Sequence, residues 1–386
     1  MPVPAERGLP LDTALARGLA AVGELGLTAD FSPLLDADPG SWRCSLRHCG
    51  VGMEAADGIG RGDRETARVG ALFEALEHYL SGLDGLRNRQ VRLRDAHEVA
   101  NGPLAADPLV RRLGEGPARE LGCVRYQALD GSPDVDVPVF LTIPEYRGRQ
   151  GEATRLKADD FYDYTAADRC LETSGWAAGS YAAEALVHAV NEAIERDALA
   201  QLVAEQFIGQ HTPPLCAVDP ATLPDDLADL LITAADRSGR SVHLIDMTSD
   251  VGVPAYFAFQ APESGGSPTA VGSAAGLCGH VAAARALTEL IQCQTTPTVR
   301  RLPDFTGKLP DATSVEFVGA DGPTTPRQHL DVLVELLQSK GFTPYAREQY
   351  STRNVAVVNV FVPGLNRSTD CRSLRVSRRC AQAPTG

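Results

Sequence analysis

The stretch from 181 to 207, YAAEALVHAVNEAIERDALAQLVAEQF, constrains the fold more than any other part of the chain. Each residue of an α-helix turns about 100° around the axis. On that basis Ala182, Ala183, Ala185, Leu186, Val187, Ala189, Val190, Ala193 and Ile194 fill an apolar arc of roughly 200°. A surface helix shows a narrower apolar stripe, so this one is expected to be well buried. Its other side carries Glu184, His188, Asn191, Glu192 and Glu195. Glu184 and Glu195 fall within about 20° of each other and Glu192 within about 80°. Carboxylates on a buried helix are costly unless cations compensate them, so the stripe is expected to line an internal pocket. Mg2+ fits such a lining, because it takes carboxylates together with phosphate oxygens.

A second helix is predicted at about 65–82 from the spacing of Ala67, Ala71, Leu72, Ala75, Leu76 and Leu80, and it sets Glu74 and Glu77 on one face. A Glu pair at this spacing is most often a solvated surface pair, and Glu192 could pair with Arg196 four residues on. Recurrence argues otherwise: two glutamate-rich helices each follow a glycine-containing segment, read here as turns at 58–62 and 174–180. A third such turn, VGSAAGLCGH (271–280), precedes a helix at about 281–293.

Around these elements the pattern predicts helices at 12–27, capped by Asp12 or Thr13, at 225–236 and at 329–341. Strands are predicted at 135–143, 241–248, 254–261 and 354–365. The proline- and glycine-rich stretch 31–64 reads as loops and short strands. Alternating helices and strands imply an α/β, or mixed α+β, architecture. No repeat or low-complexity linker divides it, so one composite domain of mixed sheets covered by helices is expected over 51–365. Residues 1–50 form a helix-and-loop lead-in, and 366–386 a polar tail.

Charge excludes one class of partner. Acidic residues outnumber basic ones, 50 to 36, for a formal charge of −14. Nucleic-acid binders draw much of their affinity from basic surface, so no nucleic-acid role is expected. Nine cysteines without a Cys-x-x-Cys pair suit neither a zinc framework nor a disulfide scaffold, and are read as buried and reduced. The start, MPVPAERGLP, lacks an apolar signal core, and no run is long enough to span a membrane. A cytoplasmic location is expected. Gly272, Gly276 and Gly279 lack the Gly-Lys-Ser/Thr of a P-loop. Cys278 and His280 are conceivable as a catalytic pair, although packing is the simpler reading. The Arg61-Gly62-Asp63 tripeptide is a chance match.

Four ordered segments resemble the motifs of YcaO-domain proteins. They are GIGRGDRETARVGALFEALEHY (58–79), GWAAGSYAAEALVHAVNEAIERDA (175–198), VGSAAGLCGHVAAARALTELIQ (271–292) and VNVFVPGL (358–365). The resemblance spans about residues 50–365 and implies ATP and Mg2+ as cofactors. It also implies Glu74, Glu77, Glu184, Glu192 and Glu195 as metal ligands, with Glu74 and Glu184 also at the nucleotide. Ser180 stands where an Asn often contacts nucleotide, and Arg61 where a lysine is usual. Arg285 and Gln292 match positions near the nucleotide. The implied activity is ATP-dependent activation of a peptide backbone amide, giving an azoline, macroamidine or thioamide; no catalytic side chain is assigned. The implied partners are a precursor peptide and a TfuA-like or leader-binding protein, and a homodimer is compatible with the family. The ending RRCAQAPTG has one proline, which disfavours the cyclodehydratases with a Pro-x-Pro tail. A non-catalytic scaffold subunit is the alternative.

Overall fold

The computed structural model describes residues 6–50, 52–86, 91–116, 118–167, 174–209, 212–262, 270–296 and 302–367. The rest of the 366–386 tail, including Cys371 and Cys380, lies outside them. Helix α1 (Leu11–Glu24) leads into strands β1 (Leu27–Leu35), β2 (Gly40–His48) and β3 (Glu54–Gly62), followed by α2 (Arg64–Leu80). Short helices α3 (Gly82–Leu86), α4 (Ala96–Ala100), α5 (Pro108–Leu113) and α6 (Glu152–Lys157) alternate with β4 (Arg92–Asp95), β5 (Glu120–Ala128) and β6 (Val135–Pro138). Then come β7 (Trp176–Gly179), α7 (Ala182–Phe207), β8 (Cys216–Val218), α8 (Asp225–Ser238), β9 (Val242–Asp246) and β10 (Ala255–Gln260). The described chain closes with β11 (Val271–Ala275), α9 (Gly279–Thr295), β12 (Thr313–Val315), α10 (Pro326–Ser339), β13 (Tyr345–Ser351) and β14 (Ala356–Phe361).

These strands form three sheets, in the orders β1-β2-β3, β4-β5-β13-β14-β7 with β6 beside β5, and β11-β10-β9-β8-β12. The mixed α/β architecture expected from the sequence is found. Three of the sheet edges are β3, β7 and β11, and each is followed directly by one of the glutamate-bearing helices α2, α7 and α9. Helix α7 packs on β14 and β7 of the six-stranded sheet, on β11 of the five-stranded sheet and on α10. Fifteen of its side chains are buried, as its broad apolar arc requires. No helix of the described residues is long and apolar enough to cross a membrane.

The three glycine segments expected as turns are largely edge strands, with turns kept at 174–175, 180 and 276–278. Their glycines are there for close approach. A Cβ on Gly58 would stand 2.3 Å from Ala75 N, one on Gly179 2.7 Å from Ala185 N, and one on Gly272 2.1 Å from Ala286 O. Strand and helix backbones touch, which needs glycine on the strand and small residues on the helix. Residues 31–64 likewise hold long parts of three nine-residue strands, with Pro33 accommodated at a register shift in the edge strand β1. The strand expected at 135–143 stops at Pro138 and continues as a 3-10 turn. Neither Asp12 nor Thr13 caps α1; Pro10 occupies that position.

One buried carboxylate organises the β5 side of the core. Asp160 Oδ2 accepts from the Gly122 backbone N–H (2.9 Å), Tyr146 Oη (2.8 Å) and Tyr164 Oη (2.7 Å). Replacing Asp160 with Ala strands two buried hydroxyls and an amide, so Asp160→Ala is expected to cost about 3 kcal/mol or more. A denaturant midpoint unchanged from wild type would contradict this. Of the cysteines, Cys44, Cys123 and Cys293 are buried as expected, with burial pushing the Cys44 thiol up to about 12. Cys49 and Cys216 are exposed instead. His280 pairs with Asp226 (2.9 Å), so it is engaged away from Cys278.

Candidate nucleotide and metal site

The three sheet edges are closed by glutamates from the helices that follow them. An edge strand leaves backbone N–H groups without a strand partner, and these must be satisfied. Here the Ile59 N–H on β3 donates to Glu74 Oε2 (3.2 Å). The Ser180 N–H, just past β7, donates to Glu184 Oε2 (3.0 Å). The Ser273 N–H on β11 donates to Glu289 Oε2 (3.1 Å). The same local solution is used three times, once per sheet.

Cross-links then join the three units into a ring. Arg61 on β3 reaches Glu289 on α9 (3.4 Å). The Ser273 hydroxyl donates to Glu195 on α7 (2.6 Å). Glu77 on α2 lies close to Glu192, to Glu74 and to the Ala178 N–H on β7. Glu192 takes the ion pair with Arg196 expected from their spacing (3.7 Å). The structure thus brings Glu74, Glu77, Glu184, Glu192, Glu195 and Arg61 to one junction between the sheets. Arg285 is tied to the N-terminal residue Glu6 (2.6 Å), whose other oxygen faces Asn191 Nδ2 on α7 (3.4 Å).

Charges of both signs are crowded at this junction. Burial raises Glu77 well above the ordinary carboxylate range, and the neighbouring Glu192 and Glu74 raise it further. Burial also raises Glu74. A few residues away, Arg285, Arg7 and Arg61 add to burial in pushing His188 down to about 3, so that the imidazole is neutral. Burial and Arg285 lower Arg7 as well. Yet His188 is solvent-exposed, and Glu74, Glu77, Glu184, Glu192 and Glu195 are partly so. These side chains keep some access to solvent although the apolar side of α7 is buried.

Within this lining, Ser180 Oγ, Gln292 Oε1 and Asn191 Oδ1 are buried without a hydrogen-bond partner among the described residues. Buried polar atoms of this kind normally find a partner, and these fit ligand atoms. Crowded carboxylates call for cations, and crowded guanidinium groups call for anions. A polyphosphate carrying divalent cations supplies both. Among the described residues no three His, Cys, Asp or Glu side chains form a ready-made metal cage.

Four contributors to the junction were not among the residues singled out as site residues in the sequence. Glu289 and Ser273 carry a faint signal: the Ser273–Glu289 separation of 16 nearly matches the Ile59–Glu74 separation of 15. Glu6 and Arg7 carry none, because only the path of the chain before α1 brings them in.

A family model for YcaO cyclodehydratase, ATP- and Mg2+-binding, matches residues 59–366. The chain is 25% identical over 358 residues to an uncharacterized protein in the tfuA 3' region of Rhizobium leguminosarum bv. trifolii, covering 84% of this chain and 80% of that protein. Among solved structures, YcaO from Methanopyrus kandleri bound with AMPPCP and Mg2+ is similar with a TM-score of 0.66 at 19% identity, over 95% of this chain and 94% of that one. A heterocyclase in complex with substrate and cofactor is similar with a TM-score of 0.69 at 16% identity, over 94% of this chain; the chain spans only 53% of that heterocyclase. The fold is shared with both. The chain belongs to the YcaO family of ATP- and Mg2+-binding cyclodehydratases.

Proposed function

We propose that the junction of the three sheet edges binds ATP with Mg2+ and uses it to activate a backbone amide of a precursor peptide. The observation that carries this reading is the crowding of both charges at the junction, with carboxylates on α2 and α7 and arginines around His188. Glu74, Glu77, Glu184, Glu192 and Glu195 would hold Mg2+. Arg61, Ser180, Arg285 and Gln292, with Glu74 and Glu184, would hold the nucleotide. ATP supplies the activation: an amide oxygen leaves readily only once phosphorylated. The protein contributes position and charge. Its arginines stabilise negative charge on the transferring phosphoryl group, and the buried walls of α7 and β11 exclude water.

Of the possible products, the thioamide is the reading we favour. The similar Rhizobium protein lies in a tfuA 3' region, and YcaO members that work with a TfuA partner are the thioamide formers. A TfuA-like protein is then the expected partner. Mass spectrometry of a treated precursor peptide decides the product: exchange of oxygen for sulfur supports this reading, and loss of water assigns ring formation instead.

Mg2+ is held by carboxylates together with phosphate oxygens, so Mg2+ and ATP are expected to bind together. In calorimetry, either alone should give weak heats and the pair a tight isotherm that Glu192→Gln and Glu195→Gln each remove. Absence of Mg2+-dependent ATP binding, with normal assembly into a peptide-modifying complex, would sink the enzymatic reading and leave a scaffold subunit.

A further inference from the structure

We infer that Ser273 is a positioning residue that sets the Mg2+ affinity of the site through Glu195; this rests on the MgATP reading above. Every residue of β11 is buried, and Ser273 is the only one of the five with a polar side chain. A buried hydroxyl costs stability unless it is hydrogen-bonded. The strand alternates faces, and Gly272 lies against α9, so Ser273 points the other way, toward α7. There its hydroxyl donates to Glu195 Oε1 at 2.6 Å, the length of a charge-assisted O–H···O bond. Its backbone N–H, on the free edge of the sheet, holds Glu289 at 3.1 Å, and Glu289 in turn takes Arg61. One residue therefore fixes two carboxylates on two helices.

The consequence is specific. By engaging Oε1, the hydroxyl locks the rotamer of Glu195 and so fixes the position from which its carboxylate meets a cation. Without it Glu195 loses the hydroxyl that holds Oε1 in place. Outer partners of metal ligands typically set 10–100-fold in metal affinity.

The test is calorimetric titration of ATP at stepped Mg2+ concentrations, alongside thermal unfolding of the ligand-free proteins. Ser273→Ala is expected to raise the half-saturating Mg2+ concentration about tenfold or more, on the scale of such outer-shell losses. Saturating Mg2+ should restore ATP binding. Ser273→Thr, which keeps the hydroxyl, should stay near wild type. A wild-type Mg2+ requirement in Ser273→Ala overturns the inference, as does a loss of ATP affinity that added Mg2+ does not restore or a Ser273→Thr shift as large as that of Ser273→Ala. If the wild-type protein itself shows no Mg2+-dependent ATP binding, the proposed function has failed, which is a different result from wild-type binding that Ser273→Ala leaves intact.

Discussion

Glu77→Gln is expected to yield a ligand-free protein more stable than wild type by about 1–2 kcal/mol near neutral pH, yet unable to bind MgATP tightly. Glu77 is raised well above the ordinary glutamate value of 4.5 by burial, then by Glu192 and Glu74, while the Ala178 N–H offsets only part of this. A carboxyl raised in the folded state leaves stability intact below its unfolded value, and stability is lost as pH climbs toward the folded value. The advantage of the Glu77→Gln variant should therefore vanish below about pH 4.5 and grow through the acid range to neutrality. Removing a direct ligand should weaken Mg2+-dependent ATP binding by at least about a hundredfold, since even outer partners are worth 10–100-fold. Denaturant unfolding across pH and calorimetry check the two halves separately. A variant less stable than wild type at neutral pH would mean that Glu77 is already compensated within the protein, and retained binding would remove it from the site.

Gly60→Ala is expected to be among the most damaging single substitutions in the chain. A Cβ there would stand 1.8 Å from Ala67 O and 2.4 Å from Ala71 N. Both are helix backbone, so no side chain can turn aside. Helix α2 would have to lift from β3, carrying Glu74 away from the Ile59 N–H and Glu77 away from its neighbours. Overpacking a tight core costs about 1–3 kcal/mol and can cost more, and backbone-on-backbone conflict places Gly60 at or above the top of that range. Gly23→Ala is the control. Nothing lies within 4 Å of its Cβ position, and it sits inside α1, so it should stabilise by about 0.5–1 kcal/mol. Circular dichroism melts of both variants make the comparison. Equal melting temperatures would mean that the strand–helix contact yields more easily than its geometry implies.

The long helices were legible because periodicity is local. The arc of α7 foretold burial, and the stripe opposite it is where His188 and the partly exposed glutamates stand. The pairing of Glu192 with Arg196 followed from one helical turn. Composition misled at the glycine segments. Gly58, Gly60, Gly179 and Gly272 carry poor strand propensity and read as turns, yet each lies in an edge strand pressed onto helix backbone. Propensity reports what a residue prefers alone, whereas close packing asks only what fits.

By itself the sequence determined which long helices form, which of their faces are apolar, and that carboxylates share a helix with a broad apolar arc. Only the tertiary structure decided that β3, β7 and β11 each end a separate sheet, that those edges meet, and that Glu6, Arg7, Ser273 and Glu289 join them. The reason is physical. A helix face follows from angles repeated every few residues, but the meeting of three edges depends on contacts between residues far apart in the chain, such as Arg61 with Glu289, 228 residues apart. No local pattern carries that distance.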